Sequence, residues 1–275
     1  MKQIVFGANG FLGSALVNRL VHNTDVLAVY NNSTNRINSK AKLIHISNIH
    51  KIKNEKISTI FYSVGNYSSS FKDLFYNNVE LLNSVINFFK DSKIVFISST
   101  SVYGNNFDII SENSAFNNPS IYGLSKIAGE FITQNAIRYS IVRLCYIYGA
   151  NLNNNSFIPN IINQAKSNEI ILFGEGKREQ DYLHIDDAVN ILIKSSVYDQ
   201  NDIFLAATGK SYSNHYIANI LKQQKNDIKI HFSGIESGSS FHFNPEATFN
   251  KLQFKPEVPI EDGIKKMWYE SINNG

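Results

Sequence analysis

The chain has 275 residues, 43% of them hydrophobic, a formal net charge of +3 and one cysteine, Cys145. That length and apolar content suffice for a substantial core, and the small charge with no long basic run argues against nucleic acid as a partner. A lone cysteine excludes an internal disulfide and fits a reducing compartment, and no stretch is apolar for long enough to be a signal peptide or a membrane span, so a soluble cytoplasmic protein is expected.

In chain order, a strand over Ile4–Phe6 runs into "VFGANGFLGSAL" and a helix over Phe11–His22. Further strands are expected at Val26–Tyr30, Leu43–Ile46, Ile60–Ser63, Ile94–Ser98, Ile141–Leu144 and Ile203–Ala207. Most are continuous apolar runs, the pattern of a parallel sheet covered on both faces. Helices at Leu74–Phe89, Tyr122–Ala136 and Asp187–Ser196 alternate with them. Such alternation predicts an α/β fold, a doubly wound parallel sheet. Beyond it, Phe157–Ser167, Asn214–Gln224 and Ile260–Ile272 read as helices around a loop-rich Phe232–Pro259. This suggests a smaller second domain built from interleaved segments.

Gly7, Gly10 and Gly13 follow the first strand and open the first helix. Glycines allow the tight turn and the close approach of a pyrophosphate, and the helix N-terminus supplies N–H groups and a positive dipole end. The Rossmann dinucleotide-binding reading follows, although the spacing is GxxGxxG rather than the standard GxGxxG. Asn9, Phe11 and Leu12 lie within the same loop. The domain boundaries expected are 1–152 for dinucleotide binding, with 184–207 returning to it, and 153–275 mainly for substrate.

The glycine loop, "SSTSVYG" after a later strand and "YGLSK" after that make a three-part order. It resembles the extended short-chain dehydrogenase/reductase family, whose members are NAD(P)-dependent nucleotide-sugar epimerases, dehydratases and reductases. "NNVELLNSVINF" (Asn77–Phe88) resembles that family's Asn-containing fourth helix, and puts Asn78 among the cofactor contacts. "VRLCYIYG" (Val142–Gly149) and "FGEGKREQDYLHIDDAV" (Phe173–Val189) are similar to two further family segments. The resemblance runs from residue 1 to about residue 207.

What the resemblance implies is chemistry at Tyr122, Lys126 and Ser99. A free tyrosine titrates near ~10, and an ammonium one helical turn away, with the nicotinamide charge nearby, favours its phenolate. Tyr122 then exchanges a proton with a sugar hydroxyl or carbonyl while hydride moves to or from nicotinamide. Lys126 also holds the nicotinamide ribose, and Ser99 hydrogen-bonds the reacting oxygen, with Thr100 and Ser101 as competitors. Thr100 and Ser101 also stand where family dehydratases carry an acidic pair, which argues against dehydration.

The second strand ends "VLAVYNNSTNR" without the carboxylate that grips a ribose 2′-OH; Tyr30 or Asn31 takes that place, with Arg36 following. NADP is therefore favoured over NAD. On the substrate side, Tyr146 replaces a family Asn and Gln180 a family Arg; either Arg178 takes over or the substrate differs. The histidines have no ligand spacing and no metal is expected. His184, Asp186 and Asp187 read as a helix start, Cys145 as core, and Met267 and Trp268 as packing residues.

The expected function is hydride transfer on a nucleotide-activated sugar, with a 4-keto reductase ahead of a C4 epimerase. A non-catalytic dinucleotide sensor on the same fold and a reductase of small carbonyl compounds are the rivals. A helix apolar on more than one face (Leu81, Leu82, Val85, Ile86, Phe88, Phe89), with Ile127, Phe131 and Ile132 of the next, also predicts a homodimer.

Overall fold

The computed structural model describes residues 2–65, 70–105, 109–152 and 154–273. The first half alternates as β1 (Lys2–Phe6), α1 (Phe11–Leu20), β2 (Val26–Tyr30), β3 (Lys42–His45), β4 (Ile57–Tyr62), α2 (Phe71–Phe75), α3 (Leu82–Phe88), β5 (Lys93–Ser99), β6 (Ile109–Ile110), α4 (Ile121–Thr133) and β7 (Arg138–Leu144). The second half adds β8 (Tyr146–Tyr148), α5 (Phe157–Lys166), β9 (Glu169–Phe173), β10 (Glu179–His184), α6 (Ile185–Val197), β11 (Asp202–Ala206), β12 (Ser211–Ser213), α7 (Asn214–Gln224), β13 (Lys229–Ser233), β14 (His242–Phe243), α8 (Glu246–Leu252) and α9 (Ile260–Asn273).

Seven parallel strands form the main sheet in the order β11-β7-β5-β4-β1-β2-β3. Each of the seven apolar runs read from the sequence is a strand of this sheet. Apart from the edge strand β3, where only Ile44 is buried, most of their side chains are buried on both faces, Ile4, Val5 and Phe6 fully so, which is why they lack the alternation of a half-exposed strand. One core lies on the α1 and α6 side of the sheet and another on the α3 and α4 side. The strand order reverses between β1 and β4, and the crevice at their carboxyl ends is where such sheets bind ligands.

β11 reaches the sheet edge after the chain has left it and returned. A third core gathers Tyr148, α5, α7 and α9 beside small sheets of β8, β10 and β12 and of β9 and β13, with Met267 and Trp268 buried in it. Phe232–Pro259, expected as loop, holds β14 and α8. α8 starts directly after Pro245 and buries Thr248, Phe249 and Leu252. At seven residues it is too short for periodicity to announce it. The helix expected from Leu74 begins at Phe71 and carries a π-helical turn, Tyr76–Leu81, between α2 and α3. Among the described residues no helix is long and apolar enough to cross a membrane.

Candidate active site

Gly7 has φ +73, and a Cβ there would lie 2.4 Å from Ser63 O. A Cβ on Gly13 would lie 2.1 Å from Gly7 O, so the first turn of α1 sits directly on the loop. Gly10 opens α1 with no side-chain cap and no acidic residue in the first turn. By contrast, Ser120 caps α4 and Ser213 caps α7. The N–H groups at the start of α1 are thus left for an anion. Asn9 ties the loop after β2 to the glycine loop. Its Nδ2 donates to Ser33 Oγ at 2.6 Å and Asn35 Oδ1 at 3.1 Å, and its Oδ1 accepts from Arg36 N–H at 2.9 Å. Arg36 is exposed beside the loop, as is Asn31 at the end of β2.

β5 ends at Ser99, whose Oγ accepts from Ser101 N–H and donates to Ser101 Oγ, both at 3.1 Å. Gly123 lets α4 close on this turn, since a Cβ there would lie 2.3 Å from Ser101 O. The Ser120 cap sets Tyr122 in the first turn of α4 and Lys126 one turn on. Lys126 is 3% exposed. Its Nζ donates to Asn78 Oδ1 and Ile97 O, each at 3.0 Å, and lies 5.8 Å from the Tyr122 ring centroid. Burial pushes the Lys126 pKa down to about 7, with the Glu130 carboxylate pulling it back up.

Asn78 is fully buried and stands behind Lys126. Its Nδ2 donates to Ser125 Oγ at 3.1 Å, and Ser125 Oγ donates to Tyr122 O at 2.8 Å. Asn78 sits in the π-helical turn, a feature frequent at functional sites. Asn78, expected among the cofactor contacts, makes its side-chain hydrogen bonds to α4.

A cavity of about 250 Å3 joins the two halves, bringing Gly10, Phe11 and Leu12 together with Ser99, Tyr122 and Lys126. Thr100 does not line it, nor do Gly7, Asn9 and Gly13, which shape the loop from behind. Ser63, Val64 and Gly65 after β4 line it and were not singled out in the sequence. Gly65 has φ +140, and its Cβ would come 3.4 Å from Lys126 Nζ. A second glycine straight after a strand of the sheet was the signal available. Cys145 also lines the cavity, but its thiol is buried and pushed well up in pKa by that burial and by Asp181.

On the substrate side, Tyr146 is half-exposed against Tyr182. Gln180 is buried, its Nε2 donating to Ser239 O at 3.0 Å. Arg178 Nε donates to Ser239 O at 3.1 Å, while Glu236 accepts the Arg178 N–H at 2.8 Å. Neither Tyr146 nor Arg178 lines the cavity that holds Tyr122. His184 caps α6 through Nδ1. Asp186 and Asp187 lie in the first turn of α6, the helix start expected for them, and Asp187 also accepts from the N–H groups of Glu257 and Val258, both at 3.0 Å. Among the described residues no three His, Cys, Asp or Glu side chains converge as metal ligands.

A buried ion pair fixes α4 to the sheet. Arg143 donates from Nε and Nη2 to the two Glu130 oxygens at 2.9 and 2.7 Å, and Ser98 Oγ donates to Glu130 at 2.6 Å. Arg143 Nη1 also donates to Tyr103 OH at 3.0 Å. A pairing between residues thirteen apart, on a helix and the following strand, carries no local sequence signal.

A profile of the NAD dependent epimerase/dehydratase family matches residues 3–204. The putative UDP-glucose 4-epimerase of Methanocaldococcus jannaschii is 27% identical, over 98% of this chain and 99% of the relative. The dTDP-4-dehydro-6-deoxyglucose reductase of Escherichia coli is 24% identical, over 96% and 95%. Among solved structures, UDP-glucuronic acid 4-epimerase from Bacillus cereus in complex with NAD superposes with a TM-score of 0.86 at 22% identity, covering 100% of this chain and 99% of that one.

Proposed function

We propose that this chain, which belongs to the NAD dependent epimerase/dehydratase family, is a nucleotide-sugar epimerase with Tyr122 as its acid–base group. One observation carries the reading: a single cavity lined both by the uncapped start of α1 and by Ser99, Tyr122 and Lys126. The residues present fit a dinucleotide. Gly7 and Gly13 remove side chains where the backbone must close up, and Gly10 leaves the first-turn N–H groups open to a pyrophosphate.

The bound dinucleotide supplies a hydride acceptor that later returns the hydride. Tyr122 takes the proton from the sugar hydroxyl as that carbon is oxidised, and gives it back when the carbonyl is reduced on the opposite face. The Lys126 ammonium beside the ring favours the phenolate that this needs. Ser99 offers a hydroxyl to the same substrate oxygen, and Asn78 holds Lys126 in place.

The epimerase reading overtakes the 4-keto reductase expected from the sequence. Its support is the near full-length likeness to a putative UDP-glucose 4-epimerase. The reductase is the second reading, favoured by the likeness to a dTDP-4-dehydro-6-deoxyglucose reductase. A sensor role is disfavoured because Tyr122 and Lys126 are both kept and enclosed by the cavity. For the cofactor, the NAD in a similar structure supports a nicotinamide dinucleotide. The missing carboxylate after β2 and the tie from Asn9 to the Arg36 backbone favour the 2′-phosphorylated form.

The test is proton NMR of UDP-hexoses with purified protein and no added cofactor, with the cofactor released by denaturation identified by mass. Conversion to the 4-epimer without net consumption of dinucleotide supports the reading. Stoichiometric consumption of added reduced nicotinamide with a 4-keto nucleotide sugar, and no epimerisation, would replace it with the reductase.

A further inference from the structure

Lys126 is buried without a carboxylate on its amine. Its Nζ donates to two neutral acceptors, Asn78 Oδ1 and Ile97 O, and lies 5.0 Å from the centre of the Phe96 ring. Dipoles and a ring face replace only part of the hydration that a charge loses on burial. A lysine 3% exposed therefore needs a negative charge close by to stay protonated.

Glu130 is placed to supply one. It follows Lys126 by one turn, on the same face of α4. It is itself 3% exposed, and its carboxylate takes three donors from β5 and β7: Ser98 Oγ, Arg143 Nε and Arg143 Nη2. A two-pronged guanidinium contact of this kind holds a carboxylate ionised and in one orientation. The groups facing Lys126 are Tyr122 and Glu130 on α4, Asn78 in the π-helical turn, and Phe96 and Ile97 O on β5. Of these only Tyr122 and Glu130 titrate. Arg143 is engaged with Glu130, Tyr103 OH and the Glu112 carbonyl. Glu130 is the charge that opposes the effect of burial on Lys126.

We propose that Glu130 is a positioning residue for the epimerisation: anchored to the sheet by Ser98 and Arg143, it supplies the counter-charge that keeps Lys126 an ammonium beside Tyr122. The proposal rests on Tyr122 and Lys126 being the reacting pair. It gives the buried ion pair a part in proton transfer as well as in packing.

The experiment is NMR titration of lysine side chains labelled with carbon-13 at Cε, in NAD-saturated protein without substrate. Lys126→Met identifies the Lys126 signal. Wild type is compared with Glu130→Gln and with Glu130→Gln/Arg143→Met. The double variant leaves no unpaired buried charge, so it stays informative if the single one fails to fold. The Lys126 midpoint should drop by about one pH unit or more in the folded variants. Turnover is then measured against pH. The ratio of variant to wild type should fall towards about a tenth as pH rises through the two midpoints. An unmoved Lys126 midpoint, or a turnover ratio that is the same at every pH, overturns the proposal, because a purely structural role would act equally at all pH values. The titration needs no substrate, so a wild type without turnover overturns the epimerase reading while the midpoint still decides the role of Glu130.

Discussion

Burial holds the Lys126 pKa near 7, against 10.5 for the free side chain. The unfolded chain therefore binds more protons than the folded one from about pH 7 to about pH 10, and the fold gains stability as pH rises through that window. The penalty for a buried ammonium is complete below it. Lys126→Met lacks this gain. Between about pH 7 and about pH 9, urea unfolding should find wild type gaining about 2 kcal/mol relative to the variant; parallel pH dependences would mean that Lys126 is not desolvated as described. Arg36 is a second test at this scale. A charge-assisted contact to a 2′-phosphate contributes about 1.5–3 kcal/mol, or a preference of about tenfold to a hundredfold. NADPH is expected to bind better than NADH, and Arg36→Ala to narrow that gap selectively. Equal dissociation constants in the wild type would reduce Arg36 to surface.

At the scale of elements, the β1–α1 turn separates folding from binding. Gly7→Ala would strain a backbone at φ +73 and drive a methyl group to 2.4 Å from Ser63 O. Such strain costs about 1–3 kcal/mol, and melting temperature should fall. A Cβ on Gly10 meets only Gly7 O at 3.2 Å. Gly10→Ala should keep the wild-type melting temperature and lose dinucleotide affinity, because the methyl group sits where the pyrophosphate approaches. A matching loss of stability in both variants would argue that the loop is structural only. The main sheet was legible because most of its strands are buried on both faces and read as unbroken apolar runs. β10 was not, because "EQDYLH" is polar and yet buried, its Asp181 satisfied by Thr208 and Gly209. The Tyr122–Lys126 pair could not be read from its i, i+4 spacing, which any helix offers; only the resemblance carried by the three-part motif order singled it out. Asn78 was visible only as an asparagine in a helix; its hold on Lys126 depends on a π-helical turn that no local pattern announces.

For the whole molecule, most of the apolar face read from the sequence turns inward. Leu82, Val85, Ile86 and Phe89 go into the core beneath the sheet, with Leu81, Phe88 and Ile132 packed against it and Ile127 against the core on the other side. Of that face Phe131 remains exposed, joined by Phe71, Tyr76, Ile121 and Leu124 of α2, the π-helical turn and α4, which the sequence did not single out. A set of exposed large apolar side chains on neighbouring helices marks an interaction surface, and a second copy of the chain is the expected cover. Sedimentation at micromolar concentration should give a dimer, and Leu124→Asp/Phe131→Asp a folded monomer. A wild type that is monomeric throughout would refute this.

The central claim is that proton transfer at Tyr122, next to a dinucleotide held on the glycine loop, drives epimerisation. Its most direct test is the rate of UDP-hexose interconversion by wild type and by Tyr122→Phe, each with its bound cofactor quantified. The phenyl ring keeps the packing and removes only the oxygen, so turnover should fall by about a hundredfold or more, with cofactor content unchanged. A Tyr122→Phe protein that interconverts the sugars at the wild-type rate would contradict the account.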